Sequence, residues 1–300
     1  MMKLINKYLI FWCLLITQLN IYGQTVEKPL FRFGIIADVQ YADRANQGTR
    51  HYRASLHKLP EAIKVFNAEK IDFVVSLGDY INDDFKSYAT LTAITNKMKS
   101  PLYHVIGNHD FEVAPNEKSK VLAALKLKQD YYAINKKNWK FIFLNGNDIS
   151  LLANAEGSVK YTEAQQLFTK LQAAGVPNAK PWNGTLGLDQ INWLKEELDQ
   201  AKRKNEQVVI FCHFPLYPDN STYSLWNVAE IRSIIEAYPN VKAYMNGHVH
   251  TSQYFFENGV HNVTFRGMVE KDDNAFAIIS VFKNHLEIKG YGQEISRILK

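Results

Sequence analysis

Two hydrophobic patterns alternate along the chain after residue 30. Short apolar runs predict strands buried on both faces, at residues 32–37, 73–77, 103–106, 139–144, 208–212 and 241–245. Longer stretches with apolar residues at helical spacing predict helices at residues 51–69, 87–98, 162–173, 189–204 and 226–238. This alternation is typical of a layered α/β domain.

The helical stretch 189–204 shows its pattern clearly. Ile191, Leu194 and Leu198 fall on one face, and basic residues crowd its end. Asp189 stands at its start, where we expect the side chain to cap the helix.

Two regions depart from the alternation. Residues 145–188 are rich in Asn, Gly and Ala, and a long insert of this kind is often a binding loop or lid. After residue 250, the stretches QYFFENG, HNVTFRG, AFAIISVF and HLEIKGYG predict antiparallel strands that close the fold. The sequence contains no internal repeat or low-complexity linker, so we expect a single domain over residues 24–300.

Composition suits one large globular domain, because the 300 residues are 46% hydrophobic and 22% charged. The first 24 residues carry two lysines, then an apolar run from Tyr8 to Ile16, then a polar stretch that ends near Gly23. A membrane anchor is the alternative, but a span needs about 20 apolar residues. We therefore expect residues 1–23 to be a signal peptide, and the mature protein to be secreted or periplasmic without stable membrane insertion.

Net charge and cysteine content argue against nucleic-acid binding and against an intrachain disulfide. The formal net charge of +5 comes from interspersed lysines, two of which lie in the predicted signal peptide. Such a charge is too mild to indicate nucleic-acid binding. Loss of Cys13 with the signal peptide would leave only Cys212, so we expect no intrachain disulfide and interpret Cys212 as a structural thiol.

Polar side chains follow the predicted strands directly, at the edge where open α/β sheets bind ligands. These carboxylate, amide and imidazole donors are Asp38, Gln40, Asp79, Asn108, His213, His248 and His250. Two divalent ions roughly 3.5 to 4 Å apart can share a carboxylate and hold the oxygens of a phosphate. The donor set therefore predicts a two-metal centre, with Asp79 as the natural bridge.

The spacing of the histidines in GHVH is consistent with a site for two ions. The histidines of GHVH at 247–250 are two residues apart and point to opposite sides of an extended backbone, so each can serve one ion. Gly107 and Gly247 are expected to let the backbone turn tightly beside the ligands.

A lone histidine after a strand is more often a hydrogen-bonded structural residue than a ligand. The histidines that lack neighbouring donor motifs are assigned to the surface or to packing, and they are His51, His57, His104, His261 and His285.

Together these motifs resemble a known family. D-x-Q at 38–40, GD at 78–79, GNHD at 107–110, the histidine of CHFP at 213 and GHVH at 247–250 occur in the order of the calcineurin-like metallophosphoesterases. FRFGIIADVQYAD, QGTRHYRASL, NWLKEEL, CHFPLYPD and VTFRGMVE resemble the manganese-dependent ADP-ribose/CDP-alcohol diphosphatases, over most of residues 31–290. The resemblance implies a four-layer α/β/β/α sandwich with mixed sheets.

The resemblance also implies roles for individual residues. One ion would be held by Asp38, Gln40, Asp79 and His250, and the other by Asp79, Asn108, His213 and His248. His109 would stabilise the transition state or protonate the leaving phosphate, and Asp110 would orient His109. The nucleophile would then be water activated by the metals and not a side chain.

Gln40 bears on the choice of metal. Members of the family usually carry histidine at this place, whereas an amide oxygen is a hard donor that favours manganese or magnesium over zinc or iron. In purple acid phosphatases the residue three positions after the bridging aspartate is an iron-binding tyrosine, and here it is Asn82. We therefore expect two divalent ions, manganese first, with magnesium or another divalent ion as the alternative.

Four residues are candidates for substrate contact. Arg50 and Arg53 could bind a second phosphate through the planar guanidinium, although solvated arginines are common at a helix start. Phe214 and Tyr217 could stack on a nucleobase. Trp226 is assigned to packing.

The expected activity is hydrolysis of the phosphoanhydride of a small nucleotide substrate, ADP-ribose or a CDP-alcohol, to a nucleoside monophosphate. A phosphomonoesterase and a cyclic nucleotide phosphodiesterase are the alternatives within the fold. A non-enzymatic scaffold is disfavoured because every expected donor and His109 are present. The sequence leaves the oligomeric state open.

Overall fold

The structure, a computed structural model, describes residues 27–300. The predicted signal peptide lies outside the described residues and stays a prediction. Among residues 27–300, no helix is long and apolar enough to cross a membrane.

Strands and helices alternate over most of the described chain. The strands are β1 Phe31–Ile36, β2 Phe73–Ser76, β3 Leu102–His104, β4 Tyr132–Lys136, β5 Trp139–Phe143, β6 Ile149–Ser150, β7 Gly184–Thr185, β8 Gln207–Phe211, β9 Val241–Asn246, β10 Gln253–Glu257, β11 Val260–Thr264, β12 Ala275–Val281, β13 Leu286–Gly292 and β14 Arg297–Leu299. The α-helices are α1 Ser55–Glu69, α2 Ser87–Thr95, α3 Val121–Ala124, α4 Val159–Ala173, α5 Leu188–Arg203 and α6 Val228–Glu236. Short 3-10 turns lie at Tyr52–Ala54, His109–Phe111 and Lys118–Lys120.

Two mixed six-stranded sheets form the centre of the fold. The first has the order β14-β13-β12-β1-β2-β3, in which β1, β2 and β3 are parallel. The second has the order β10-β11-β9-β8-β5-β4, in which β5, β8, β9 and β11 are parallel. Parallel neighbours end at the same edge of a sheet, so the loops after β1, β2 and β3 leave together, as do those after β8 and β9.

An aromatic core fills the space between the two sheets. The ring of Phe33 on β1 meets Phe141 on β5 edge-on, with 5.5 Å between centroids, and Phe211 on β8 at 6.0 Å. All three side chains are fully buried. Aromatic pairs of this kind contribute about 0.5–1.5 kcal/mol beyond the burial of their area. These contacts hold the sheets face to face.

Strand β1 shows why a strand buried on both faces has a continuous apolar sequence. Phe33 and Ile35 point between the sheets, whereas Ile36 packs on the outer side among residues of α1. Gly34 also faces outward, and an added Cβ there would lie 2.8 Å from the Phe66 ring of α1. The helix therefore packs directly on the strand backbone.

Helices cover both outer faces of the sheet pair. α1 and α2 pack on the first sheet, and α5 and α6 pack on the second. The layer order is helix, sheet, sheet, helix, which confirms the predicted four-layer fold with mixed sheets.

Several local expectations need correction. The pattern does not predict β4, whose residues are mostly half-buried at a sheet edge and so form no apolar run, nor the two-residue strands β6 and β7, which pair with each other. The predicted Asp189 cap is wrong, because Gly187 is the N-cap residue of α5. Asp189 lies inside the first turn instead, where its charge complements the helix dipole.

Candidate metal centre

The predicted donors lie in five loops, each at the carboxyl end of a parallel strand. Asp38 and Gln40 follow β1, Asp79 follows β2, Asn108 follows β3, His213 follows β8, and His248 and His250 follow β9. All seven residues are buried. Loops from both sheets therefore contribute polar side chains to one buried cluster at the carboxyl ends of the strands.

Asp79 belongs to two groups of potential ligand atoms. Atoms of Asp79, His213 and His248 lie within 4.8 Å of one another, and so do atoms of Asp38, Asp79 and His250. The Nε2 atom of His213 lies 3.3 Å from Oδ2 of Asp79 and 3.1 Å from Nδ1 of His248. Two ion positions that share one carboxylate fit this geometry.

The remaining two donors adjoin the same groups. The Oδ1 atom of Asn108 lies 3.2 Å from Nε2 of His213. The backbone N–H of Gln40 donates to the carbonyl of Asp79 at 2.8 Å, which fixes the two ligand loops against each other.

Unpaired buried atoms show that the site fits cations. Neither Oε1 nor Nε2 of Gln40 has a hydrogen-bond partner among the described residues, and neither does Oδ2 of Asp79. The 3.3 Å contact of that Oδ2 atom with His213 lacks hydrogen-bond geometry. Buried polar atoms are normally satisfied, so oxygens left unpaired beside carboxylates and imidazoles are suited to bind divalent ions.

The backbone at five donors is strained. Their φ angles are 47° at Asp38, 43° at Gln40, 48° at Asp79, 70° at His248 and 62° at His250. A non-glycine residue in this left-handed region costs about 1–3 kcal/mol, and such residues cluster at functional sites. The strain supports a functional role for these loops.

Two glycines make room for the carboxylates. A Cβ on Gly107 would lie 2.1 Å from Oδ1 of Asp79, and one on Gly247 would lie 2.5 Å from Oδ2 of Asp38. Neither glycine has a positive φ angle, so the tight turn expected from the sequence is not the reason for glycine here. Glycine is required because each carboxylate packs against the backbone.

Two of the histidines are fixed by a partner on the far side of the ring. The Nδ1 atom of His213 lies 2.7 Å from the carbonyl oxygen of Leu77. The Nδ1 atom of His250 lies 2.8 Å from Oε1 of Glu270. A hydrogen bond at one ring nitrogen sets the tautomer and aims the other nitrogen, as at known metal sites.

Asn183 fixes the third histidine, a role that its sequence does not indicate. Its Oδ1 atom lies 3.2 Å from Nε2 of His248, and its Nδ2 atom donates to the carbonyls of Asn178 and Thr222. Asn183 lies in the insert at 145–188, so this segment reaches the donor cluster. The Asn-Gly-Thr sequence at 183–185 gives no local signal of such a contact.

The electrostatics of the cluster favour bound cations. Burial disfavours the charged form of His213, but the Asp79 carboxylate outweighs it and raises the pKa of His213 to about 9. At His250 burial likewise disfavours the charged form, but the Asp38 and Glu270 carboxylates together outweigh it and raise the pKa of His250 to about 9. Burial and the charge of His213 hold the pKa of His248 well below its usual range. The carboxylates thus attract positive charge, which two divalent ions could supply.

His109 lies beside the bridging carboxylate, and its side chain is partly exposed. Its backbone N–H donates to Oδ1 of Asp79 at 2.8 Å, and its Nδ1 atom lies 3.2 Å from the carbonyl oxygen of Asn82. Glu112 approaches the same Nδ1 atom at 3.3 Å.

Asp110 does not orient His109, contrary to the expectation from the resemblance. Its carboxylate accepts from the backbone N–H of Gly107 at 2.9 Å, from that of Tyr80 at 3.1 Å and from the Tyr88 hydroxyl at 3.0 Å. Asp110 therefore ties the loop after β3 to the loop after β2. The partners of the His109 ring are Asn82 and Glu112 instead.

The two candidate arginines differ in their surroundings. The charge of Arg50 opposes the rise in the pKa of His109 and of His250 and helps to lower the pKa of Glu270, so its guanidinium lies on the side of the donor cluster. Arg53 is exposed and pairs with Asp43 at 2.7 Å. Arg50 thus stays a candidate for substrate contact, and Arg53 is engaged elsewhere.

Neither predicted aromatic residue has a face open for a nucleobase. Phe214 is fully buried and packs edge-on against His213 and His248, with ring centroids 5.2 and 4.8 Å away. Tyr217 is stacked on Phe255, and the Arg232 guanidinium covers its ring at 3.8 Å. Phe214 supports the ligand histidines from behind, and Tyr217 packs away from the cluster.

One exposed aromatic side chain beside the cluster is Tyr223. Its ring meets His248 edge-on at 5.5 Å between centroids, and 41% of the residue is exposed. Trp182 is 38% exposed and precedes Asn183 in the chain. The Tyr223 ring therefore flanks His248, and Trp182 is linked to the cluster only through its chain neighbour Asn183.

Other sequence assignments concern residues outside the cluster. Cys212 is buried, and burial raises the pKa of its thiol, in line with a structural role. Trp226 packs with Phe168 of α4. The histidines assigned to the surface or to packing take no part in the two ligand groups, and they are His51, His57, His104, His261 and His285.

Comparison with known proteins agrees with this site. A family model described as calcineurin-like phosphoesterase matches residues 31–252. The manganese-dependent ADP-ribose/CDP-alcohol diphosphatase of Mus musculus is 32% identical, over 91% of this chain and 94% of that protein. A protein of the same name from Arabidopsis thaliana is 31% identical, over 89% and 96%. In structure, the chain is similar to a dimetal phosphatase from Danio rerio, with a TM-score of 0.82, 26% identity, and coverage of 91% of this chain and 99% of that one.

Proposed function

The chain belongs to the calcineurin-like phosphoesterase family, and from that premise we propose that it is a two-metal hydrolase of nucleoside diphosphate compounds. It cleaves the diphosphate bond of ADP-ribose or of a CDP-alcohol and releases AMP or CMP. The observation that carries the proposal is the Asp79 carboxylate, which belongs to both groups of potential ligand atoms. The substrate class is supported by the names of the relatives from mouse and Arabidopsis.

Each ion has four protein ligands in this proposal. One site comprises Asp38, Gln40, Asp79 and His250, and the other comprises Asp79, Asn108, His213 and His248. Manganese is the metal that the names of the relatives support, and the hard amide oxygens of Gln40 and Asn108 agree with it.

Two bound divalent ions would neutralise charge on the phosphates and activate water for attack on phosphorus. His109 donates a proton to the leaving phosphate. Its Nδ1–H donates to the carbonyl of Asn82, so Nε2 is the nitrogen that gives up a proton. Burial opposes protonation of His109, but Asp79 and Glu112 outweigh it and raise its pKa, which keeps the imidazolium available.

Residues around the cluster bind the rest of the substrate. The Arg50 guanidinium holds the second phosphate of the diphosphate, because a planar cation can engage two phosphate oxygens at once. Tyr223 offers an exposed ring beside His248, on which the nucleobase stacks.

Product analysis tests the proposal. The manganese-loaded protein is incubated with ADP-ribose, CDP-choline, cyclic AMP and an aryl phosphate, and the products are separated. We expect AMP from ADP-ribose or CMP from CDP-choline. Turnover of the aryl phosphate or cyclic AMP alone would sink the diphosphatase proposal and favour the corresponding alternative.

Two variants test the residue roles. His109→Ala should lower kcat about 10²–10⁴-fold, the range of general acid–base catalysis. His57→Ala, on an exposed face of α1, is the matched control and should retain wild-type activity. Full activity of His109→Ala would remove this residue from the mechanism.

We also propose that the chain is exported, since residues 1–24 have the length and polarity of a signal peptide. N-terminal sequencing of the protein recovered from outside the cytoplasm should begin near Gln24. Recovery in the cytoplasm with residue 1 or 2 at the N-terminus would contradict export.

A further inference from the structure

Lys58 is a charged residue in the protein interior. It lies on α1 and has no exposed surface. Its Nζ donates to three backbone carbonyls, those of Met268 at 2.8 Å, Glu270 at 3.1 Å and Lys271. An ammonium group has three N–H bonds, so each has an acceptor and the buried charge is satisfied by backbone dipoles.

The three carbonyls belong to one segment, residues 268–271, which also contacts the ligand loop after β1. The backbone N–H of Met268 donates to the carbonyl of Ala37 at 2.8 Å, and that of Val269 donates to the carbonyl of Asp38 at 3.0 Å. The segment therefore holds the backbone of Asp38, whose left-handed conformation needs support from its surroundings.

The same segment carries the partner of His250. Oε1 of Glu270 lies 2.8 Å from Nδ1 of His250, while the carbonyl of Glu270 accepts from Lys58. The N–H of Lys271 donates to the carbonyl of Thr49 at 2.7 Å, next to Arg50. A displacement of the segment would thus move the Glu270 carboxylate away from His250.

We propose that Lys58 is a positioning residue for one of the two ion sites, an inference that rests on the proposed two-metal function. Its ammonium holds residues 268–271 against α1. Glu270 of this segment then orients the His250 ring, and Met268 and Val269 hold the backbone of the Asp38 loop. The site affected comprises Asp38, Gln40, Asp79 and His250. The other site shares Asp79, and its His248 donates a backbone N–H to Asp38 at 3.1 Å, but the rings of His213 and His248 have their own supports in Leu77 and Asn183. We therefore expect that site to depend much less on Lys58.

A purely structural role makes a different prediction. If Lys58 served only the stability of the fold, its removal would lower the melting temperature and leave both metal affinities unchanged below that temperature. A positioning role requires a selective loss at one site. Metal binding to the folded protein therefore separates the two.

The experiment compares two lysines of the same helix. Lys58→Met removes the buried ammonium and keeps an unbranched side chain, and Lys64→Met removes an exposed one as the matched control. Mn²⁺ binding to the whole mature chain is measured by isothermal titration calorimetry, and circular dichroism confirms that each variant is folded. In Lys58→Met, we expect the ion beside Gln40 and His250 to bind about 10–100-fold more weakly, and the other ion to lose clearly less affinity. Lys64→Met should bind both ions as wild type does.

A double-mutant cycle tests the route through Glu270. Glu270→Gln should weaken the same ion, and Lys58→Met in that background should add little, because both changes break one chain of contacts. Equal weakening of both ions in Lys58→Met, or no weakening, would overturn the proposal, as would full additivity with Glu270→Gln.

If Lys58→Met does not fold, Lys58→Gln is measured instead, since its amide can donate to at most two of the three carbonyls. The same selective loss is expected, and its absence overturns the proposal. A wild-type protein that binds fewer than two ions, or that releases no nucleoside monophosphate, contradicts the proposed function itself. That result is distinct from any difference between variants.

Discussion

Substitution of Gly107 by alanine perturbs the bridging carboxylate without removing a ligand. The added Cβ would lie 2.1 Å from Oδ1 and 2.2 Å from the backbone nitrogen of Asp79, whereas a Cβ in real structures keeps 3.0 Å or more. Asp79 and the Gly107 backbone must therefore separate by about 1 Å, since the three nearest atoms all belong to Asp79. A displacement of 1 Å at a reacting centre can cost on the order of 100-fold in rate.

The assay measures release of AMP from ADP-ribose by the manganese-loaded protein, with thermal unfolding recorded in parallel. We expect kcat/KM of Gly107→Ala to fall about 100-fold. The control is Gly175→Ala, where φ is +67° and nothing lies within 4 Å of the new Cβ. That change costs about 1–2 kcal/mol of stability through backbone strain and should leave activity intact.

The comparison separates damage to the site from damage to the fold. A Gly107→Ala variant with kcat/KM within twofold of wild type would refute the argument from close packing. Equal loss of activity in both variants would show that backbone strain, and not the position of Asp79, controls the rate.

Three further changes have distinct expected outcomes. Gln40→His should raise activity with zinc relative to manganese, since imidazole suits zinc better than an amide oxygen does; an unchanged metal ratio in the same AMP assay would contradict our account of Gln40. Tyr223→Ala should raise KM for ADP-ribose about tenfold, the equivalent of roughly 1.4 kcal/mol of lost stacking, with a smaller change in kcat; an unchanged KM would remove Tyr223 from the nucleobase site. Phe141→Ala should lower the free energy of unfolding in urea by about 3–5 kcal/mol, because its fully buried ring contacts Phe33 and Phe73 across the sheet pair; a loss below about 1 kcal/mol would mean that the core closes around the cavity.

The layered fold and the donor cluster could be predicted because their signals are local. A strand buried on both faces needs an uninterrupted apolar run, as at β1, and the polar residue that follows it must lie at the sheet edge. Asp38 and His213 come directly after such a run, and Asp79 comes one residue later, after Gly78. Their positions along the chain thus indicated their positions in space.

Residues whose roles depend on distant segments could not be predicted in this way. Asn183 contacts His248 across 65 positions of sequence, and Lys58 contacts Met268 across 210. Phe214 was a candidate for stacking on a nucleobase, but its ring lies in the core behind the histidines. Asp110 likewise follows His109 yet bonds backbone groups of the loop after β2. Which neighbour a side chain meets is decided by packing between loops, which a single sequence does not display.

The most direct test of the two-metal account is anomalous X-ray diffraction from a crystal of the manganese-loaded protein. We expect two manganese peaks per chain, both in contact with the Asp79 carboxylate, one beside Gln40 and His250 and the other beside His213 and His248. A single peak, or two peaks that do not share Asp79, would contradict it.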